Sequence, residues 1–409
     1  MPDLSSSIRA HEGLQQREIL HAQPFYRWLI LAFTWLALLI CFVDRLTWGN
    51  VALDAGQTLG MRMTATGAFV TAFYIGYVIS NAAFGFVTDW IGARITLGTG
   101  LVLLGLITFA FGFARSFIAG ACIQAAMGIA SGVDYAAGVK LISAWFDKQQ
   151  RGSALGIYMT ATSLAVVVAN STMPLLAGRW TWRGAYEILG AVTIVAGMIS
   201  LFVIANAPGA GHGAASSKPD FSLLLTKPDL VLVAIAGFGA MWGTWGFAFW
   251  ANALMVKGHG LTARESAGVM VLFGIGAVAA KPTIGFLSDW FGGRRKILSI
   301  VSLGAFGPAL AVFGWSGTAE VFRYLAPLLG VFAFAYGPLM CAMVAEIAGS
   351  DLAAAAMGLS NALWQIASVI VPLVVGAVFG ATSSFHAAFA TLAIGPAIGA
   401  IVMAFVSAD

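Results

Sequence analysis

Long apolar runs recur along the whole chain, and this pattern constrains its fold more than any other feature of the sequence. Each run holds about 20 residues, so that an α-helix rising about 1.5 Å per residue crosses the roughly 30 Å hydrocarbon core of a bilayer. Hydrophobic residues make up 60% of the 409 and charged residues only 9%, whereas a soluble domain carries about 25% charged residues because its surface faces water. The sequence therefore predicts an all-α membrane protein.

The apolar runs divide into twelve predicted spans. They lie at 28–52, 65–87, 95–114, 117–143, 153–177, 187–206, 229–255, 266–287, 297–315, 322–347, 356–380 and 384–407. The first run is followed by further spans and not by a small-residue cleavage site. We therefore expect it to be a transmembrane helix and not a removable signal peptide. If the N-terminus is cytoplasmic, the cytoplasmic segments hold more lysine and arginine than the outer loops, as the positive-inside rule requires. We therefore expect an inner-membrane protein with both termini in the cytoplasm, and we attribute the net charge of +4 to topology and not to a nucleic-acid partner.

A stretch of small and polar residues, Pro208 to Asp220, separates the sixth span from the seventh. Such a composition favours a flexible linker. The predicted organisation is therefore a cytoplasmic N-terminal segment at 1–27, a six-helix bundle at 28–206, a cytoplasmic linker at 207–228 and a second six-helix bundle at 229–409.

One loop sequence occurs twice, 200 positions apart. Gly85-Phe-Val-Thr-Asp89-Trp-Ile-Gly92-Ala-Arg94 follows the second span, and Gly285-Phe-Leu-Ser-Asp289-Trp-Phe-Gly292-Gly-Arg294 follows the eighth. The match indicates that the halves arose by duplication. The aspartate can cap a helix end, the glycines allow a tight turn, and the arginine can reach the carboxyl end of a neighbouring helix. We expect a latch that releases when the cytoplasmic side opens; a plain connecting turn with positive-inside charges is the alternative.

These loops resemble the signature of the major facilitator superfamily. The segment Trp145-Phe-Asp147-Lys-Gln-Gln-Arg151-Gly152-Ser-Ala-Leu-Gly156 is similar to the loop after the fourth helix of that family, and the resemblance covers the whole chain. It implies twelve transmembrane helices in two pseudo-symmetric six-helix bundles, which carry substrate by alternating access. Gating roles are expected for Asp89, Arg94, Arg151, Asp289 and Arg294. We expect a monomer that needs no cofactor.

Four charged residues lie deep inside predicted spans. Asp44 and Arg45 belong to the first span, Asp134 to the fourth and Lys281 to the eighth. An isolated charge at the middle of a bilayer costs about 2.5–3.5 kcal/mol on insertion scales, so these groups must face a polar cavity or one another. We expect a cation, Lys281 or Arg45, to pair with one of the two aspartates across the interface between the halves. A static buried salt bridge without a transport role is the alternative.

Polar-tipped side chains in the spans suit a pocket for a partly apolar ligand. The candidates are Tyr74, Tyr77, Asn170, Tyr336, Asn361, Trp364 and Gln365. Each of them could instead form a hydrogen bond to a neighbouring helix. Lys140 and Glu346 are weaker candidates, because both lie near cytoplasmic helix ends where a long side chain reaches water.

Two narrower resemblances concern the substrate. Phe42-Val-Asp44-Arg45, Gly128-Ile-Ala-Ser-Gly132 and Trp250 resemble the anion:cation symporters, and Ala280-Lys281-Pro282-Thr-Ile-Gly285 is similar to the eighth helix of monocarboxylate transporters and oxalate/formate exchangers. The chain departs from the symporter pattern at Gln124 and Ser131, where that family has arginine and glutamate. Lysine at 281 in place of the usual arginine also loses a bidentate grip on carboxylate.

From these residues we predict proton-coupled uptake of a small organic anion, a monocarboxylate or a related organic acid. Arg45 and Lys281 attract the carboxylate, and Asp44 or Asp134 carries the proton. Import of a siderophore or another metal chelate, which Trp242, Trp245 and Trp364 would accommodate, and export of a drug or metabolite are the alternatives. We do not expect an enzyme, because the five histidines show no metal-ligand spacing. We do not expect an ATP-driven pump, because no phosphate-binding glycine loop precedes a lysine and a serine or threonine.

Overall fold

The computed structural model describes residues 24–146, 148–205, 227–316, 318–348 and 353–407. Within these residues the regular elements are all helices, and eleven of them are long and apolar enough to cross a membrane. The prediction of an all-α membrane protein is therefore confirmed. Nearly all of the predicted N-terminal segment and most of the predicted linker lie outside the described residues.

The first half of the chain comprises helices α1 to α6. They are α1 (Pro24–Thr58), α2 (Gly67–Ile91), α3 (Ala93–Phe111), α4 (Phe117–Ser131), α5 (Val133–Trp145) and α6 (Lys148–Val203), with one 3₁₀ turn (Met63–Ala65) between α1 and α2. The second half comprises α7 (Pro228–His259), α8 (Ala263–Trp290), α9 (Arg295–Trp315), α10 (Ala319–Ala348), α11 (Ala353–Thr382) and α12 (Phe385–Ala404).

Three predicted spans, the fourth, fifth and sixth, have different boundaries in the structure. The fourth span is divided at Gly132, whose N–H bonds to the carbonyl of Ile129 at 3.4 Å, three residues back and not four. The fifth and sixth spans lie in the single helix α6, in which Trp180 and Thr181 have non-helical backbone angles. This interruption falls in the predicted loop between the two spans.

Close contacts between helices repeat in the two halves. A side chain added at Gly128 in α4 would collide with the carbonyl of Phe73 in α2, and one at Gly330 in α10 would collide with the carbonyl of Phe273 in α8. Small residues at such crossings let helix backbones approach in a membrane, where packing drives association. Because Gly128 and Gly330 are 202 residues apart and the two phenylalanines 200 apart, the packing supports the duplication inferred from the loops.

Side chains from three helices bind the C-terminal end of α6. Arg94 donates to the carbonyl of Leu201 at 3.0 Å from Nε and 2.7 Å from Nη2. The Tyr26 hydroxyl donates to the carbonyl of Val203 at 2.6 Å, and Trp145 Nε1 donates to that of Ala205 at 2.9 Å. The last carbonyls of a helix have no partner within it, so these donors fix α1, α3 and α5 to one point. The expected reach of Arg94 to a neighbouring helix end is confirmed.

The two halves meet through polar contacts at the end of the bundle where α1 and α7 terminate, which we call the closed end. The Asn252 amide in α7 donates to Asn170 Oδ1 at 3.0 Å and to Asn50 Oδ1 at 3.3 Å. The Thr71 hydroxyl donates to the carbonyl of Val369 at 2.7 Å. Hydrogen bonds therefore join α1, α2 and α6 of the first half to α7 and α11 of the second.

Candidate functional site

Arg45 lies in the middle of α1 and is enclosed by aromatic rings. Its Cζ lies 4.0 Å from the ring centroids of both Phe42 and Tyr77, and 5.5 and 5.7 Å from those of Phe73 and Tyr74. The side chain is 3% exposed, and Nε, Nη1 and Nη2 have no hydrogen-bond partner among the described residues. Ring faces stabilise the charge of a guanidinium but leave its five N–H donors unused. The arrangement therefore presents a buried cation with free donors.

Asp134 lies at the start of α5, where α4 ends. Its Oδ1 accepts from the backbone N–H of Tyr135 at 2.5 Å, and its Oδ2 has no partner among the described residues. The carboxylate is close enough to Arg45 to interact electrostatically, and the Cys41 thiol lies beside it. A helix N-terminus also favours a negative charge. The break at Gly132 thus places a carboxylate beside the cation of α1, within one half of the molecule.

Asp44 points into a different environment from its neighbour Arg45. Both of its carboxylate oxygens accept from the Thr193 hydroxyl in α6, at 3.3 and 3.1 Å. The residue is 1% exposed. Its described partner is therefore a neutral hydroxyl of the same half, and not a cation.

Lys281 in α8 contacts the first half. Its Nζ donates to the carbonyl of Met159 at 2.8 Å and to Thr162 Oγ1 at 2.6 Å, both in α6. Nζ also lies 5.5 Å from the ring centroid of Phe334. The expected ion pair across the halves is therefore wrong for the described structure, because the hydrogen-bond partners of Lys281 are a carbonyl and a hydroxyl. A lysine ammonium group only donates hydrogen bonds, and this carbonyl and this hydroxyl of α6 are the acceptors.

An aromatic surface connects the surroundings of the two cations. Trp245 in α7 lies 6.1 Å from Phe42 and 6.4 Å from Tyr74, both in the first half, and 6.5 Å from Phe334, measured between ring centroids. Phe42 covers Arg45 and Phe334 faces Lys281. The two cations therefore border one aromatic surface that spans the interface. Phe334 and Thr162 were not predicted, because an apolar or hydroxyl side chain in a span gives no signal that separates a site from ordinary packing.

The other predicted lining residues divide into two groups. Tyr74 is fully buried beside Arg45, and its hydroxyl has no partner among the described residues. Tyr336 is instead 3.1 Å from the Thr244 hydroxyl, within the second half. Trp364 packs against Gly237 of α7, and Gln365 accepts from the Ser368 hydroxyl at 3.2 Å. Asn361 is half-buried, and Asn170 accepts a hydrogen bond from Asn252 at the closed end. Tyr74 and Tyr77 are therefore the predicted lining residues that the structure places at Arg45.

Of the three tryptophans that could accommodate a chelate, one lies at this site. Trp242 Nε1 donates to the carbonyl of Thr391 at 2.9 Å, so its polar edge is used within the second half. Trp364 is likewise part of the packing of that half. Trp245 alone of the three lies on the aromatic surface between the cations. The tryptophans therefore do not form one large aromatic pocket.

The predicted gating residues lie at the end opposite the closed end. Arg94 binds the end of α6 as described above. Arg294 is exposed at the start of α9, and the adjacent Arg295 forms an ion pair with Glu346 of α10. The pairing of Glu346 was not predicted. The side chains of Asp89, Arg151 and Asp289 lie outside the described part of the structure, so the gating roles stay predictions.

A bundle of apolar helices whose two related halves enclose buried charges defines a membrane transporter and not an enzyme. The chain belongs to the Major Facilitator Superfamily, because the model of that family matches residues 33–372 and 268–409. The resemblance inferred from the sequence is thereby confirmed.

Curated relatives include transporters of organic acids. A putative tartrate transporter of Agrobacterium vitis is 23% identical over 384 residues, covering 87% of this chain and 88% of its own. The hexuronate transporter of Escherichia coli (strain K12) is 24% identical over 409 residues, covering 92% and 93%. Among solved structures, a bacterial homologue of the human lysosomal transporter Spinster, in an inward-facing and unoccupied conformation, matches with a TM-score of 0.74 at 16% identity, over 94% of this chain and 96% of that one. That likeness concerns the fold alone.

Proposed function

We propose that this protein takes up a small organic anion together with protons, by alternating access and as a monomer in the inner membrane. The observation that carries the proposal is the state of Arg45: a guanidinium 3% exposed, with three nitrogens that no described protein group binds. A buried unpaired cation is strongly unfavourable. A carboxylate is the ligand that matches its planar fork, through two parallel hydrogen bonds.

The relatives support an organic acid as the substrate. Those named above are a putative tartrate transporter and a hexuronate transporter. A further relative in Bacillus subtilis (strain 168), 23% identical over 400 residues, is a probable galactarate/D-glucarate transporter. These compounds combine carboxylates with hydroxyl groups. The unpartnered Tyr74 hydroxyl beside Arg45 suits such a substrate hydroxyl. The carboxylate of a monocarboxylate binds at Arg45. In a dicarboxylate, the second carboxylate extends towards Lys281.

Proton coupling is proposed to act through Asp134 in preference to Asp44. Asp134 interacts electrostatically with Arg45, whereas the described partner of Asp44 is Thr193. A proton on Asp134 removes a negative charge that attracts the guanidinium and repels a substrate carboxylate, so the anion binds Arg45 more tightly when Asp134 is protonated. Proton and anion then bind best together, which is the condition for symport.

Twelve membrane crossings are proposed from the same helices. At about 1.5 Å per residue, a continuous helix of the 56 residues of α6 would be roughly 84 Å long, nearly three times a hydrocarbon core. The break at Trp180 and Thr181 divides α6 into two crossings, while α4 and α5 together form one. The positive-inside distribution supports cytoplasmic termini, and with that orientation the closed end faces outward.

Transport by purified protein in proteoliposomes tests the proposal. We expect an inward proton gradient to drive accumulation of tartrate, a hexuronate or a simple monocarboxylate, and Arg45→Ala to abolish it. Binding is screened first by thermal shift, because a ligand of the folded state raises its apparent stability. Stabilisation by cationic amines or metal chelates, with none by any carboxylate, would overturn the proposal in favour of a drug exporter or a siderophore importer.

A further inference from the structure

The contact between Lys281 and α6 has a defined hydrogen-bond polarity. The Thr162 hydroxyl donates its single proton to the carbonyl of Met159 at 3.0 Å. Its lone pairs are thereby left for the Lys281 ammonium, which lies at 2.6 Å. The Met159 carbonyl accepts from both groups, since the ammonium lies 2.8 Å from it. Thr162 is therefore fixed as an acceptor that faces the lysine.

The contact joins α8 of the second half to α6 of the first half. Further along the same pair of helices, towards the closed end, Gly274 of α8 packs against Val166 and Val167 of α6. Lys281 is seven residues from Gly274, or about 10 Å along the helix. Neither described partner of the ammonium carries a charge. A carboxylate binds an ammonium more strongly than neutral acceptors do, so an anion beside Phe334 can compete for Lys281.

We propose that Thr162 is a positioning residue, which with the Met159 carbonyl holds Lys281 against α6 in the unloaded carrier until an incoming anion withdraws it. The proposal rests on the proposed function for the identity of the ligand as an organic anion. When the anion withdraws Lys281, a polar contact between α6 and α8 is lost. Anion binding therefore weakens the interface between the halves on the side away from the closed end. Substrate binding and movement of the halves are thereby linked through one side chain.

Affinity measurements test the competition. Thr162→Val removes the acceptor at nearly constant side-chain volume, so an anion no longer competes with that hydrogen bond for Lys281. We expect the Kd of the organic anion to fall about tenfold, which corresponds to one hydrogen bond to a charged group. Thr162→Ser keeps the hydroxyl and should restore the wild-type Kd. Thr172→Val is the matched control, because Thr172 is exposed on the same helix and its hydroxyl bonds to the carbonyl of Val168. In a Lys281→Met background, Thr162→Val should have no further effect on Kd.

A distance measurement tests the contact without any ligand. Trp90 and Trp290 occupy equivalent, exposed positions at the ends of α2 and α8. Spin labels on cysteines at these two positions, with the three native cysteines replaced, report the separation of the halves by double electron–electron resonance. We expect Thr162→Val and Lys281→Met to populate longer distances to the same extent, and Thr162→Ser to resemble the unsubstituted protein.

The outcomes separate the two proposals. Longer distances together with a lower Kd support the positioning role. Longer distances in a protein that binds no organic anion would support the contact between the halves but overturn the proposed function. Unchanged distances in both variants, or equal effects of Thr162→Val with and without Lys281, would overturn the positioning role.

Discussion

Substitution of Arg45 gives the sharpest test of the site, because its surroundings fix the expected magnitude. The rings of Phe42 and Tyr77, each with its centroid 4.0 Å from Cζ, pack against the guanidinium, and its N–H donors remain for a ligand carboxylate. Two hydrogen bonds from a charged donor contribute about 1.5–3 kcal/mol each. Arg45→Ala should therefore weaken anion binding by more than about a hundredfold. Arg45→Lys keeps the charge but loses the fork, and should weaken binding about tenfold or somewhat more.

The assay is isothermal titration of detergent-purified protein with the organic anion that stabilises the wild type most. Arg62→Ala serves as the matched control, because Arg62 is exposed near the end of α1, away from the aromatic rings. Thermal melting without ligand verifies that each variant is folded. If Arg45→Ala binds the anion within twofold of the wild type, the guanidinium is not the anchor and the reasoning from its unpaired donors is wrong.

Three further experiments test the coupling, the packing and the closed end. Asp134→Asn should keep substrate exchange and abolish proton-driven accumulation in proteoliposomes, whereas Asp44→Asn should keep both; the reverse result would assign coupling to Asp44. Gly128→Ala should lower Tm, because overpacking costs about 1–3 kcal/mol. Gly156→Ala, with open space around it, should not lower Tm, because alanine is favoured over glycine inside a helix. Asn252→Ala removes two amide hydrogen bonds, worth about 0.5–1.5 kcal/mol each. It should lengthen the distance between spin labels placed on the two halves at the closed end. An unchanged distance would show that these bonds do not hold that end shut.

The sequence predicted the fold well because lipid imposes a simple rule on it. Each crossing must be an apolar helix, and such helices can be recognised from composition alone. The break within the fourth span was missed, since Gly132 differs in no visible way from the many glycines that serve only close packing. The loop between the fifth and sixth spans was predicted where Trp180 and Thr181 interrupt α6. Local irregularities of this kind depend on tertiary contacts that the sequence does not display.

The candidate site was only partly predictable for a related reason. Ionisable residues inside apolar runs are rare, so Arg45, Asp134 and Lys281 were evident as candidates. Their partners were not evident, because the structure satisfies them with aromatic faces, a helix N-terminus and neutral acceptors. Charge complementarity suggests ion pairs, but a side chain bonds to whatever acceptor its helix brings within reach. The expected pairing of Lys281 with an aspartate failed for this reason.

Because the halves are duplicated, the charged residues of the site can be compared with the residues at equivalent positions in the other half. By the 200-residue offset of the repeated loops, Arg45 corresponds to Trp245 and Asp44 to Thr244; by the 202-residue offset of the glycine crossings, Asp134 corresponds to Tyr336. Thr244 and Tyr336 meet at 3.1 Å in a neutral hydrogen bond, whereas their counterparts in the first half carry charge. The two halves therefore kept one packing scheme and diverged in chemistry. Arg45, Asp44 and Asp134 belong to the first half, whereas the second half contributes Trp245 and Lys281. In the proposed function, an anion at Arg45 therefore lies against both halves. A substrate held in this way is sensitive to how the halves are arranged, and alternating access requires that dependence.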